Sequence, residues 1–75
     1  MRTTREFTAL IEREGDGYTA LCPELDVASQ GKTVEEARRN LATAVALFLK
    51  TADPSEIVRR ERSEVFITRL EVTVG

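Results

Sequence analysis

Apolar and polar side chains alternate from Glu6 to Glu12, where Phe7, Ala9 and Ile11 are interleaved with Thr8 and Glu12 and only Leu10 breaks the pattern. A period of two predicts a strand with one buried face. Gly15-Asp16-Gly17 follows, and glycines on both sides of an aspartate offer the positive-φ positions of a tight hairpin. Tyr18 to Cys22 resumes the alternation, with Tyr18, Ala20 and Cys22 on one face and Thr19 and Leu21 on the other. Pro23 lacks an N–H and ends that ladder, so Pro23-Glu24-Leu25-Asp26 is expected to be a turn that feeds a short third strand, Val27 to Gln30.

The period then changes. Thr33-Val34-Glu35-Glu36 has the form of a capping box, with the Thr33 hydroxyl and Glu36 carboxylate able to satisfy two N–H groups at a helix start. Val34, Ala37, Leu41, Ala44, Val45, Phe48 and Ala52 then fall at helical spacing and form one apolar stripe. Asp53-Pro54-Ser55-Glu56 repeats the start signal and predicts a second, short helix ending near Arg62. Phe66, Thr68, Leu70, Val72 and Val74 alternate against Val65, Ile67, Arg69, Glu71 and Thr73, which predicts a long last strand.

The order strand, strand, strand, helix, short helix, strand specifies an α+β domain with the helix on one sheet face. Right-handed crossover through the helix would set the last strand parallel beside the first, for a sheet order of 3-2-1-4. The other sheet face keeps Leu10, Leu21 and one side of the last strand, enough apolar surface for a self-contact. A chain of 75 residues supports one domain. At that size a core rarely contributes more than about 3 to 5 kcal/mol net, so a homodimer or higher homo-oligomer is expected as extra support.

Composition narrows the chemistry. Eleven basic and thirteen acidic side chains give a formal charge of -2, against the basic excess of a nucleic-acid binder, so no direct nucleic-acid contact is expected. Arg59, Arg60 and Arg62 alternate with Glu56, Glu61 and Glu64 and read as a solvated face. With no histidine, the Ser-His-Asp and Cys-His arrangements and every His-containing zinc site are excluded. Cys22 stands alone and reads as a buried, inert thiol. Glu6, Glu12, Glu35 and Glu36 are too dispersed for a two-metal centre, and Gly15 and Gly17 lack the lysine and helix start of a phosphate loop. The expectation is a non-enzymatic interaction domain with no cofactor or metal. Lacking a signal-type leader and a long apolar run, it is expected in the cytoplasm and away from membranes.

The run from Asp16 to Ala37, with Asp16-Gly17-Tyr18, Cys22-Pro23-Glu24-Leu25, Ser29-Gln30-Gly31 and Thr33-x-Glu35-Glu36-Ala37 in that order, resembles the signature of the HicB-like antitoxin family and its short, UPF0150-type members. The likeness covers the chain from about Phe7 to Asp53. It implies a partial ribonuclease-H-like fold without that fold's catalytic acids. It also implies a partner, a small mRNA-cleaving ribonuclease toxin of the HicA type, whose active surface the antitoxin covers. Full-length members append a helix-turn-helix or ribbon-helix-helix segment; none is legible here, so residues 1–75 are expected to form a single antitoxin domain with no separate DNA-binding domain.

Gly17, Gly31, Pro23, Thr33 and Glu36 have structural roles in turns and caps. Glu24, Asp26, Ser29 and Gln30 differ, being polar residues on a turn and an edge strand, where unpaired backbone groups are available. They are the expected partner contacts, and an acidic turn suits a basic RNA-cleaving protein. The alternative is a free-standing homo-oligomeric scaffold or ligand-binding module that has kept the fold without a toxin.

Overall fold

A computed structural model of the chain describes residues 4–61 and 64–75. β1 (Leu10–Glu14) and β2 (Gly17–Cys22) form an antiparallel hairpin in which Leu10 faces Leu21 and Glu14 faces Gly17. β3 (Val27–Gly31) pairs antiparallel with the other edge of β2, so the sheet order is β1-β2-β3. The hairpin connection is Gly15-Asp16, with the positive φ on Gly15 at 59° and none on Asp16 or Gly17. One positive φ at the first turn residue is the II′ arrangement. Gly17 has a different task, because a Cβ there would stand 2.8 Å from the Gly31 carbonyl oxygen.

β1 begins at Leu10, later than the alternation from Glu6 implies. The register explains the shift. With Leu10 opposite Leu21, Thr8 would fall opposite Pro23, which has no N–H to give. The Thr8 N–H instead meets the Glu24 carboxylate, at 3.0 and 3.1 Å from its two oxygens.

α1 (Val34–Thr51) crosses the face of the sheet that carries Ile11, Ala20, Cys22 and Val27. Thr33 caps it as expected, its hydroxyl accepting the Glu36 N–H at 3.0 Å. The Glu36 carboxylate reaches one residue further back and accepts the Lys32 N–H at 2.9 Å. Ala37, Leu41 and Val45 are buried, Ala44 and Phe48 half-buried, and Val34 is exposed despite its place in the stripe. The start of α1 lies so close to β3 that a Cβ on Gly31 would be 2.5 Å from the Ala37 nitrogen. The buried core is Ala20, Cys22, Leu25, Ala37, Leu41 and Val45, with Phe7, Ile11, Tyr18, Val27, Phe48 and Leu49 packed around it.

α2 (Pro54–Glu61) starts as the sequence predicts, with Asp53 Oδ1 accepting the Ser55 N–H at 2.9 Å. The expected end near Arg62 falls just outside the described residues. The α+β class with one helix-covered sheet face therefore stands, among the described residues, as three antiparallel strands and two helices. The last element departs from expectation. Residues 64–75 have no ladder partner among the described residues, and every one is exposed, so the fourth place in the order 3-2-1-4 is not taken up by the chain's own tail. Alternation fixes which side chains share a face of an extended segment but not which strand receives its N–H groups.

Candidate interaction surface

The turn between β2 and β3 is built around Leu25, which is completely buried between two acidic neighbours. Asp26 supports the tight reversal with a left-handed φ of 55°, a conformation that aspartate tolerates better than most residues. Glu24 turns inward. Its carboxylate accepts the Thr8 N–H, the Thr8 hydroxyl at 2.7 Å and the Cys22 thiol at 3.5 Å. Partial burial acts to raise its pKa, but the Thr8 hydroxyl, its own N–H and the Thr8 N–H outweigh that and hold the carboxyl below the usual range. Burial pushes the Cys22 thiol up, reinforced by the adjacent Glu24 carboxylate, which leaves it protonated and a poor nucleophile.

The four expected contact residues do not converge. Asp26 and Gln30 are exposed and stand at opposite ends of β3, Ser29 is half-buried on the helix side, and Glu24 is engaged with Thr8. The edge of β3 is also partly closed, because the Gln30 carbonyl accepts the Asn40 side-chain N–H at 2.8 Å.

Arg60 has a role that its charged surroundings concealed. Its guanidinium donates to the Leu25 carbonyl oxygen, donates to Glu56 at 2.8 Å and lies 4.6 Å from the centre of the Phe48 ring. It fastens α2 to the β2–β3 turn and to α1 and is not part of a solvated face. Arg59, which pairs with Glu56 from the exposed side, fits that description better. Arg5 pairs with Glu61 and brings the end of α2 to the start of the chain's first extended segment. The signal in sequence would have been an arginine four residues after a glutamate in a helix that also needed an anchor, and it is a weak one.

Two uncovered surfaces remain. On the sheet face opposite α1, register places Leu10, Leu21 and Ala28 in one row across the three strands, and Glu12, Thr19 and Gln30 in the next. The apolar row is thus bordered by Glu12, Thr19 and Gln30, with Glu14 one row further along β1. The second surface is a groove of about 530 Å³ between the segment before β1 and α1, with Phe7, Ala9, Leu41, Val45, Ala46 and Leu49 in its lining. Arg5, Glu6 and Arg38 add charge to that lining. Among the described residues no group of three or more His, Cys, Asp or Glu side chains gathers as a metal site requires, and no helix is long and apolar enough to cross a membrane.

No protein-family model matches the chain, and no solved structure matches it significantly. Three curated relatives do. A UPF0150 protein of Helicobacter pylori is 35% identical over 65 residues, which cover 85% of this chain and 90% of the relative. A UPF0150 protein of Synechocystis is 44% identical over 57 residues, covering 73% of this chain and 76% of the relative. A second Synechocystis UPF0150 protein is 45% identical over 47 residues, 60% of each chain. With identity above a third sustained over nearly the full length of the Helicobacter protein, this chain belongs to the UPF0150 family.

Proposed function

We propose that the protein is a HicB-like antitoxin, a cytoplasmic non-enzymatic domain that binds a small HicA-type mRNA-cleaving ribonuclease and occludes its active surface. The observation that carries the reading is the open sheet face, where the Leu10-Leu21-Ala28 row offers an apolar centre, Glu12 stands in the next row and Glu14 in the one beyond it. An apolar centre with a charged rim is how protein interfaces are organised, and the acidic rim complements a partner that must be basic to hold RNA. The signature from Asp16 to Ala37 supports the same reading. Asp26 and Gln30 are exposed near either end of β3, while Glu24 shapes the turn before it and Ser29 lies on the helix side.

The same reading includes the finer fold. In it a segment of sequence 65–74 would fill the fourth place of a sheet of order 3-2-1-4, parallel to β1, a place that the chain's own exposed tail leaves open, and would complete the partial ribonuclease-H-like scaffold. The groove between the segment that leads into β1 and α1 supports this placement.

Co-expression tests the function. A short basic protein containing histidine, encoded next to this one, should arrest growth alone and be tolerated when this chain is co-expressed. If growth stays arrested and the two proteins do not co-purify, the reading is wrong. A homo-oligomeric scaffold without a toxin is the second reading, favoured by the apolar tail, on which Phe66, Leu70, Val72 and Val74 are 72 to 89% exposed. An isolated gene with no such neighbour would favour it.

A further inference from the structure

We propose that the protein is a strand-exchanged dimer, in which residues 65–74 of each copy lie along the free β1 edge of the other and close its apolar groove. The inference rests on the reading that the last strand belongs beside β1, and it names the copy that provides the strand.

The donor is the tail. Phe66, Leu70, Val72 and Val74 fall on one side of an extended segment and are 82%, 85%, 72% and 89% exposed. Such a row is unstable in water and invites pairing with a sheet edge. At roughly 3.3 Å per residue, positions 65–74 span about 33 Å. Positions 5–14, the segment before β1 together with β1, have the same number of residues.

The acceptor is on the same chain. β1 is an edge strand, so one line of its backbone N–H and C=O groups has no ladder partner among the described residues. The segment that leads into β1 borders the groove of about 530 Å³, whose lining is apolar at Phe7, Leu41, Val45 and Leu49 and charged at Arg5 and Arg38. A strand laid on that edge would satisfy the backbone groups and put alternate side chains into the groove, where Leu41 and Val45 already form part of the core.

Shape decides between the two sources of that strand. The molecule measures 52 × 29 × 20 Å, and its Cα radius of gyration is 14.6 Å. A compact chain of this length would have a radius of roughly 11 Å. The tail therefore stands away from its own groove, which is the arrangement an exchanged dimer uses and a folded-back monomer does not. Donor and acceptor on one chain also let two copies satisfy each other completely through a two-fold axis, with no site left over.

Sedimentation of the unaltered full chain at micromolar concentration is the first measurement, and a dimer is expected. Leu70→Glu should weaken that dimer roughly ten-fold or more, from loss of a buried leucine. Source and seat are then read by disulfide trapping on a Cys22→Ala background, with Ala9→Cys combined separately with Thr68→Cys and with Leu70→Cys. After oxidation and denaturation, mass spectrometry should find the 9–68 or 9–70 link between two chains. A sedimenting monomer, or a link within one chain, overturns the exchange. The link within one chain would at the same time leave the fourth strand beside β1 correct. A dimer that forms neither link overturns both, and puts its interface elsewhere, such as the Leu10-Leu21-Ala28 face.

Discussion

Glu24 shows how a single side chain can be conspicuous in sequence for one reason and matter in the structure for another. Its position in an acidic turn marks it as a contact residue, yet its carboxylate gathers two donors from Thr8 and one from Cys22. These bonds tie the turn to the segment before β1. Its folded pKa is lowered, so the stability it adds is present above the unfolded value, near about 4.3, and is lost as pH falls through the lower folded value. Thermal midpoints measured from pH 7 to pH 3 should therefore drop below about pH 4.5. Glu24→Gln should cost about 1 kcal/mol at neutral pH and flatten that drop; an unchanged slope would show that Glu24 does not govern it.

Leu25 makes the same point for packing. It sits between two acids in a turn and is fully buried, its carbonyl held by Arg60. Leu25→Ala should lose about 2 to 5 kcal/mol in urea denaturation, a cost expected of core positions and not of turns. Nothing local in the sequence distinguishes an apolar turn residue that is buried from one that is merely tolerated, because Leu25 shares its core with residues as distant as Ala37, Leu41 and Val45.

Among the elements, those set by local chemistry were legible. The Gly15-Asp16 reversal, the Thr33 cap and the Asp53-Pro54 start all occur where the residues predict them. Each depends on groups within a few positions of one another. Thr33→Ala should accordingly destabilise the fold by about 1 kcal/mol, with loss of α1 ellipticity on mild heating. Gly31→Ala should cost about 1 to 3 kcal/mol, because the new methyl would press on the backbone at Glu36 and Ala37. A wild-type melting curve for that variant would mean that β3 and α1 are less closely packed than described. Less legible were the start of β1, which depends on Pro23 across the hairpin, and the anchoring of α2 through Arg60, which depends on Phe48 and the Leu25 carbonyl. These are long-range pairings that no periodicity records.

For the whole molecule, the class and the helix-covered sheet face followed from pattern, while the place of the last strand did not. Val65 to Val74 alternates as a strand should, and a groove opens between the segment before β1 and α1, but the register of a strand against a distant edge is not written in its own alternation. The candidate surface was legible only in outline: Leu10 and Leu21 mark the open face, whereas the four polar residues of the turn and β3 are spread between a buried bond network and two exposed ends. Occlusion of a ribonuclease by that open face is the central claim. The most direct measurement is the cleavage of a messenger RNA by the proposed partner, a short basic protein encoded beside this one, purified and titrated with this chain. Cleavage should fall to background near a fixed stoichiometric ratio, and Leu21→Glu on the open face should abolish the inhibition while leaving the fold intact by circular dichroism. Undiminished cleavage at a saturating excess of the unaltered chain would contradict it.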